Sequence, residues 1–382
     1  MTPVPFFRPS IGEAEIAAVT GVLRSGWLTT AGEARAFEAE FAEALGGRVE
    51  ALAVTSATAA LHLGLEALGV GPGDEVILPT LTFTATAEVV RYMGATPVLV
   101  DIEPDTLCMS TAAVEAAVTP RTRTIMPVHF AGRSCDMTGL RHVADRHGLT
   151  ILDDAAHALP TRHKDQPIGG AHTGADVTAF SFYANKTMTT GEGGMLVTAR
   201  PEIAARARTM RLHGIDRDVF DRFTSVRAGW SYDVVAPGFK YNMTDIAAAM
   251  GRVQLSRTHA FHAARSRIAA NYDAAFADLP LTLPPKAAAG DTHAWHLYVV
   301  ELNDGAPMDR DTFLERTKEA GIGTSVHYRP LHQMSYWREA APAGLFPAAD
   351  AYFERCATLP LFMDMRPEEE ARVIDVVRGL LG

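Results

Sequence analysis

From position 51 to position 154 the chain repeats one arrangement: a short apolar run, a polar turn, then apolar residues at helical spacing. Ala51-Leu52-Ala53-Val54 ends at Thr55-Ser56-Ala57-Thr58, and Leu61, Leu65 and Leu68 follow on one helical face. The runs at 75–79, 96–100 and 124–128 are each followed by a helical stretch, at 84–93, 111–118 and 137–147, and the run at 149–152 ends on Asp153-Asp154. Runs this short between turn residues read as strands, and the longer stretches between them read as helices. Strands joined through helices pair in parallel, so the pattern predicts an α/β domain on a largely parallel sheet. The runs at 177–182 and 195–198 have no full helix between them, which predicts a hairpin-like addition and a mixed sheet.

With 382 residues the chain is long enough for two domains. We expect a large domain over 1–249, with the N-terminal segment, and a smaller C-terminal α/β domain over 250–382. The region 214–240, with Gly229, Pro237 and Gly238, reads as a long loop. A long helix is expected over 245–273, a strand over 295–301 holding Trp295 in the core, and a helix over 313–320. A net charge of -10 excludes a general nucleic-acid binder. No apolar run is long enough to span a membrane, and MTPVPFFRPS has no basic stretch leading into an apolar core, so neither a span nor a signal peptide is expected. Cys108, Cys135 and Cys356 have no metal-binding spacing and fit free thiols in a reducing cytoplasm. His142 and His147 fall on different faces of one helix, so no metal site is expected.

The chemistry concentrates at a few positions. Of the 35 basic residues only five are lysines: Lys164, Lys186, Lys240, Lys286 and Lys318. A chain so biased towards arginine keeps lysine for tasks a guanidinium cannot perform, and forming an imine with an aldehyde is one of them. Lys186 follows an apolar stretch and Ser181, and precedes Gly191-Glu192-Gly193-Gly194. Asp154 stands at the C-terminal end of a predicted strand, where open α/β sheets bind ligands. A carboxylate there can keep a pyridine nitrogen protonated, although taken alone it reads more readily as a helix cap. Ser56-Ala57-Thr58 opens a helix and suits a phosphate, Ser181 can donate to the same group, and Phe83 can stack on a ring. Helix-start Ser/Thr, aromatic, strand-end acid, Ser and Lys, in that order, suggest pyridoxal phosphate.

These and further motifs resemble the DegT/StrS family of nucleotide-sugar aminotransferases, of the pyridoxal-phosphate fold type I, nearly end to end. The resemblance runs through Ser25-Gly26-Trp27-Leu28-Thr29-Thr30, Gly71-Pro72-Gly73-Asp74, Pro127-Val128-His129-Phe130-Ala131-Gly132, Asp153-Asp154-Ala155-Ala156-His157, Tyr241-Asn242-Met243-Thr244 and Gly321-Ile322-Gly323-Thr324. His293-Ala294-Trp295-His296-Leu297 and Lys240-Tyr241-Asn242 are most similar to UDP-4-amino-4-deoxyarabinose aminotransferases. The chain departs from the family at Ala31-Gly32, where many members read Gly-Pro.

The resemblance implies that Lys186 holds the cofactor covalently, that Asp154 pairs with its ring nitrogen and that His157 lies beside the ring. It implies Phe83 as the stacking residue, Ala57, Thr58 and Ser181 as phosphate contacts, and Asn242 reaching the cofactor of a neighbouring subunit in a homodimer. Thr29, His327 and Tyr328 are candidate substrate contacts. The implied reaction moves the amino group of L-glutamate to a nucleotide-linked 4-keto sugar, with pyridoxamine phosphate between the two halves. Alternatives are a 3-aminotransferase, and a non-catalytic regulatory protein on the same fold. Relatives that dehydrate carry histidine in place of the lysine, and Lys186 sets this chain apart from them.

Overall fold

The computed structural model describes residues 3–216, 232–340 and 345–382. Gly229 and the middle of the expected loop lie outside the described residues. Seven strands form the main sheet: β1 (Glu50–Val54), β2 (Glu75–Pro79), β3 (Thr96–Val100), β4 (Thr122–Ile125), β5 (Thr150–Asp154), and the two strands Val177–Ser181 and Gly194–Thr198. Two-residue strands β6 (Arg162–His163) and β7 (Gln166–Pro167) pair with each other outside the main sheet, so the last two sheet strands are β8 and β9. The order is β1-β9-β8-β5-β4-β2-β3. β3, β2, β4, β5 and β8 are parallel, and β9 runs against both β8 and β1. The hairpin expected from the two closely spaced runs is therefore β8–β9, and the sheet is mixed as its pattern predicted.

Helices α1 (Glu13–Ser25), α2 (Gly32–Ala44), α3 (Ala57–Ala67), α4 (Ala85–Tyr92), α5 (Thr111–Ala117), α6 (Met137–His147) and α7 (Pro201–Met210) accompany these strands. Their starts follow local chemistry: Ser56, Ser110 and Asp136 each accept a backbone N–H of the first turn. α2 packs Phe37 and Phe41 against Phe180 and Phe182, with Phe41 and Phe180 centroids 5.2 Å apart. Each such ring taken out of water stabilises the fold by about 1.5–3 kcal/mol. α3 lies on the opposite core cluster, and a Cβ at Gly64 would meet Leu152 Cδ1 at 2.8 Å. Glycine there lets α3 approach β5 closely, which fixes the height of the start of α3 relative to Asp154.

The C-terminal part has a separate antiparallel sheet: β10 (Leu281–Thr282), β11 (Tyr298–Leu302) and β12 (Cys356–Leu359). Tyr272, Phe276, Tyr298, Phe313 and Phe362 build its core, and Val4 from the other end of the chain joins them. The expected long helix is two helices, Asp245–Ser256 and Thr258–Phe276, meeting at Arg257; the proposed boundary between 249 and 250 falls inside the first. Trp295 is not in a strand: it precedes β11, has φ of 53° and stacks on His293. Buried Arg265 takes the carbonyl oxygens of Trp295, His296 and Leu361 through Nη1, and these bonds hold the segment off the sheet.

Candidate active site

The C-terminal ends of β1, β2, β4, β5 and β8 point the same way, and the turns after them enclose a cavity of about 520 Å³. Pockets for small ligands are typically about 300–1,000 Å³. Ala57, Thr58, Phe83, Asp154, His157, Ser181, Lys186, His327 and Tyr328 all line it, whereas Thr29 and Asn242 do not.

Asp154 is the last residue of β5 and is buried at 6% exposure. Oδ2 accepts a 2.7 Å hydrogen bond from Thr86 Oγ1, and Oδ1 accepts one from the Ala156 amide at 3.1 Å. Burial pushes the carboxyl above its ordinary value; Thr86, the Ala156 amide and the charges of Lys186 and His129 pull it back only in part. Asp153, next along the strand, points away and faces the buried His129 at 3.4 Å. Successive strand residues point to opposite faces, so only one of the two acids reaches the cavity.

The start of α3 supplies the opposite charge preference. Ser56 Oγ accepts the Ala59 amide at 3.1 Å, and the Ala60 amide donates to the Ser56 carbonyl. The amides of Ala57 and Thr58 have no hydrogen-bond partner among the described residues. Two unpaired N–H groups at the positive end of a helix form an anion site. Gly194, at the start of β9, lies against this turn: a Cβ on it would come within 2.5 Å of the Ser56 carbonyl carbon.

Lys186 sits in the connection between β8 and β9. Its amide donates to Tyr183 O, and the connection is pinned where the Phe182 amide meets Gly193 O and the Thr190 amide meets Phe182 O. The side chain keeps some surface because it opens onto the cavity. The surrounding protein holds its amine down to about 8, against the opposing pull of Asp154. An ordinary lysine is charged up to about pH 10, so here the neutral amine is favoured from about pH 8 upward.

His157 is held at both ring nitrogens. Nδ1 accepts the Ala131 amide at 3.3 Å, and Nε2 lies 3.1 Å from Tyr328 Oη. Burial, then the charges of Lys186 and His327, push this imidazole well below its ordinary value. A neutral ring accepting at Nδ1 carries its proton on Nε2, so Nε2 donates to Tyr328. His296 lies against the ring, centroids 4.3 Å apart. His327, held by burial and by Lys186 at about 4, bonds Thr358 Oγ1 through Nδ1. Phe83 is 58% exposed on the cavity wall, its ring 6.1 Å from that of Tyr328.

The two positions outside the cavity are placed differently. Thr29 is exposed, and its carbonyl accepts the Asp245 amide. Asn242 accepts Lys240 Nζ at 2.6 Å and donates to Thr30 Oγ1 at 2.6 Å. At the departure from the family pattern, Gly32 begins α2 and the Ala31 amide donates to Asp245. Sequence reasoning missed Thr82, Tyr183, Asn185 and Glu192, which line the cavity, and Thr86 behind Asp154. Asn185 precedes the lysine and keeps a buried side-chain oxygen without a partner among the described residues; its position beside Lys186 was the available signal. His147 bonds Glu115 on the surface, and among the described residues no group of three or more His, Cys, Asp or Glu is placed to hold a metal ion.

A strand-end carboxylate, a partly neutral lysine and a helix-start anion site on one cavity define a site built for an anionic, amine-reactive ligand. Residues 9–378 match the DegT/DnrJ/EryC1/StrS aminotransferase family. The chain belongs to that family and has the fold of its solved members. It is 34% identical to the aminotransferase TlmJ from Streptoalloteichus hindustanus, over 98% of both chains with a TM-score of 0.90. Spr1654 from Streptococcus pneumoniae, assigned as a sugar aminotransferase, is 34% identical in its PMP form, over 99% of this chain and 98% of that one with a TM-score of 0.91; PLP and apo forms of it are similar too. DesV from S. venezuelae, solved in complex with a ketimine intermediate, is 35% identical over 99% of this chain and 98% of that one, with a TM-score of 0.87.

Proposed function

We propose that this protein is a pyridoxal-phosphate-dependent aminotransferase that moves the amino group of L-glutamate to a nucleotide-linked 4-keto sugar, giving a 4-amino sugar nucleotide and 2-oxoglutarate. The observation that carries the reading is the meeting of Lys186, Asp154, His157 and the unpaired amides of Ala57 and Thr58 on one cavity. Solved relatives in PLP and PMP forms support the cofactor, and one assigned to sugars supports the substrate class.

The residues present fit pyridoxal phosphate. The Ala57 and Thr58 amides, with Ser181, would take the phosphate; Asp154 would face the ring nitrogen; Phe83 and His157 would flank the ring; and Lys186 would bond its aldehyde carbon. The cofactor, when bound, supplies an aldehyde that accepts an amino group and a ring that withdraws electrons from the adjoining carbon. Lys186 Nζ would take the proton from Cα of glutamate. In the second half-reaction the same atom delivers a proton to C4 of the sugar. Asp154, whose donors Thr86 and the Ala156 amide oppose the effect of burial, would face the ring nitrogen as a carboxylate, and neutral His157 would add no competing cation. His327 and Tyr328 on the wall are assigned to substrate, and so is Thr29, which lies outside the cavity.

Asn242 does not reach the cavity of its own chain, and we assign it to the cofactor of a second subunit in a homodimer. The exposed apolar side chains of α1 and the turn after it, Ile16, Leu23, Trp27 and Leu28, support a second copy. Among the described residues no helix is long and apolar enough to cross a membrane, which is compatible with a cytoplasmic enzyme. The test is a product assay with glutamate and a panel of nucleotide-linked 4-keto and 3-keto sugars. Amination of 4-keto sugars alone is expected. Amination of 3-keto sugars alone assigns the other regiochemistry, and no product from either refutes the substrate class.

A further inference from the structure

Next to Asp154 two hydroxyls stand in line, the farther of them belonging to a residue that also lines the cavity. Thr86 Oγ1 is 2.7 Å from Asp154 Oδ2, and Thr82 Oγ1 is 2.8 Å from Thr86 Oγ1. Thr82 and Thr86 are 1% and 0% exposed. Thr82 lies in the turn after β2 and also touches the cavity, whereas Thr86 lies in the first turn of α4, so the line joins two elements to the end of β5. An ionised carboxylate only accepts, and a hydroxyl has one proton to give. With Asp154 ionised the polarity is therefore fixed: Thr82 donates to Thr86, and Thr86 donates to Asp154.

We propose that Thr86 is a positioning residue, the last link of a buried hydroxyl relay from Thr82 that keeps the Asp154 carboxylate ionised and aimed at the ring nitrogen of the cofactor. This rests on the cofactor reading above. Asp154 needs such a donor because it sits where burial favours the neutral acid. The other groups that face it are Lys186 from the β8–β9 connection, His129 from the turn after β4 and Tyr328 from the C-terminal part. Lys186 lies on the cavity side, where it would be engaged in holding the cofactor. His129 is shared with Asp153. Thr86 is the side-chain donor that stays in place when the cavity fills, acting on Oδ2 while the Ala156 amide serves Oδ1.

The experiment titrates pyridoxamine phosphate, which cannot bond Lys186 covalently, into the full-length protein freed of cofactor, between pH 5 and pH 9. Thr86→Val keeps the shape and removes the hydroxyl; Thr86→Ser keeps the hydroxyl. Thr86→Val is expected to weaken binding about tenfold and to move the acid limb of the binding profile up by about one pH unit. Thr86→Ser restores both, and Thr82→Val moves both the same way by less. A Thr86→Val protein with the wild-type affinity and pH profile overturns the relay, as does a Thr86→Ser protein that behaves like Thr86→Val. Should Thr86→Val fail to fold, an unchanged pH profile in Thr82→Val overturns it equally. Wild-type protein that does not bind pyridoxamine phosphate at any pH refutes the cofactor reading and the relay with it.

Discussion

Tyr328 Oη and His157 Nε2 lie 3.1 Å apart, and this contact joins the C-terminal part to the turn after Asp154. It is the bond through which the C-terminal part fixes a ring on the cavity wall. Tyr328→Phe removes it while keeping the aromatic packing against Phe83 and Phe130. Loss of about 0.5–1.5 kcal/mol of hydrogen bonding is expected, seen as a roughly three- to tenfold fall in kcat with little change in thermal midpoint. A variant with wild-type kcat would remove Tyr328 from the account of how His157 is held.

The amine of Lys186 is held at about 8 by burial, with Asp154 opposing. Its reactive form is the neutral one, so the sign is direct: reactivity rises as pH climbs through about 8 and levels off above. The rate of covalent uptake of pyridoxal phosphate by cofactor-free protein, measured from pH 6 to pH 10, should show that plateau. A rate still climbing steeply at pH 10 would mean that Lys186 titrates as an ordinary lysine.

Asp154→Asn keeps the size of the side chain and removes its charge. The Thr86 and Ala156 donors would then meet a neutral amide. Loss of a fixed charge opposite the ring is expected to lower kcat on the order of a hundredfold or more, with a smaller change in KM for glutamate. Steady-state kinetics decide this, and an equal loss confined to KM would assign Asp154 to substrate binding instead.

Gly194 has no room for a side chain, because a Cβ would press on the Ser56 carbonyl at 2.6 Å and on the Ala57 amide nitrogen at 2.6 Å. Gly194→Ala must displace the first turn of α3, the element that presents the two unpaired amides. Stability should fall by about 1–3 kcal/mol, and affinity for pyridoxamine phosphate should fall with it. Calorimetry and a binding titration on one sample measure both; unchanged affinity would show that the α3 turn does not carry the phosphate.

The alternation of strands and helices was readable because buried parallel strands need short apolar runs, and β2 and β3 fall where their runs lie. That Lys186 and Asp154 meet on one cavity was readable from their places after one predicted strand and at the end of another. The break at Arg257 was not: no Gly or Pro marks it, and there Gln254 and Arg257 both reach the buried Glu15, far back in the chain. Thr86 was not readable either, since its partner is 68 positions away and a threonine near a helix start looks ordinary. On α1, Ile16 and Leu23 have the spacing of a buried face, yet they are 51% and 53% exposed while Val22 and Glu15 are buried. Spacing shows that a face exists but not what covers it.

On the proposed function, one lysine of the five, Lys186, carries the chemistry. Protein loaded with pyridoxal phosphate, reduced with borohydride, digested and read by mass spectrometry should carry the pyridoxyl group on the peptide containing Lys186 and on no other. An unmodified Lys186, or label spread over Lys164, Lys240, Lys286 and Lys318, would contradict it.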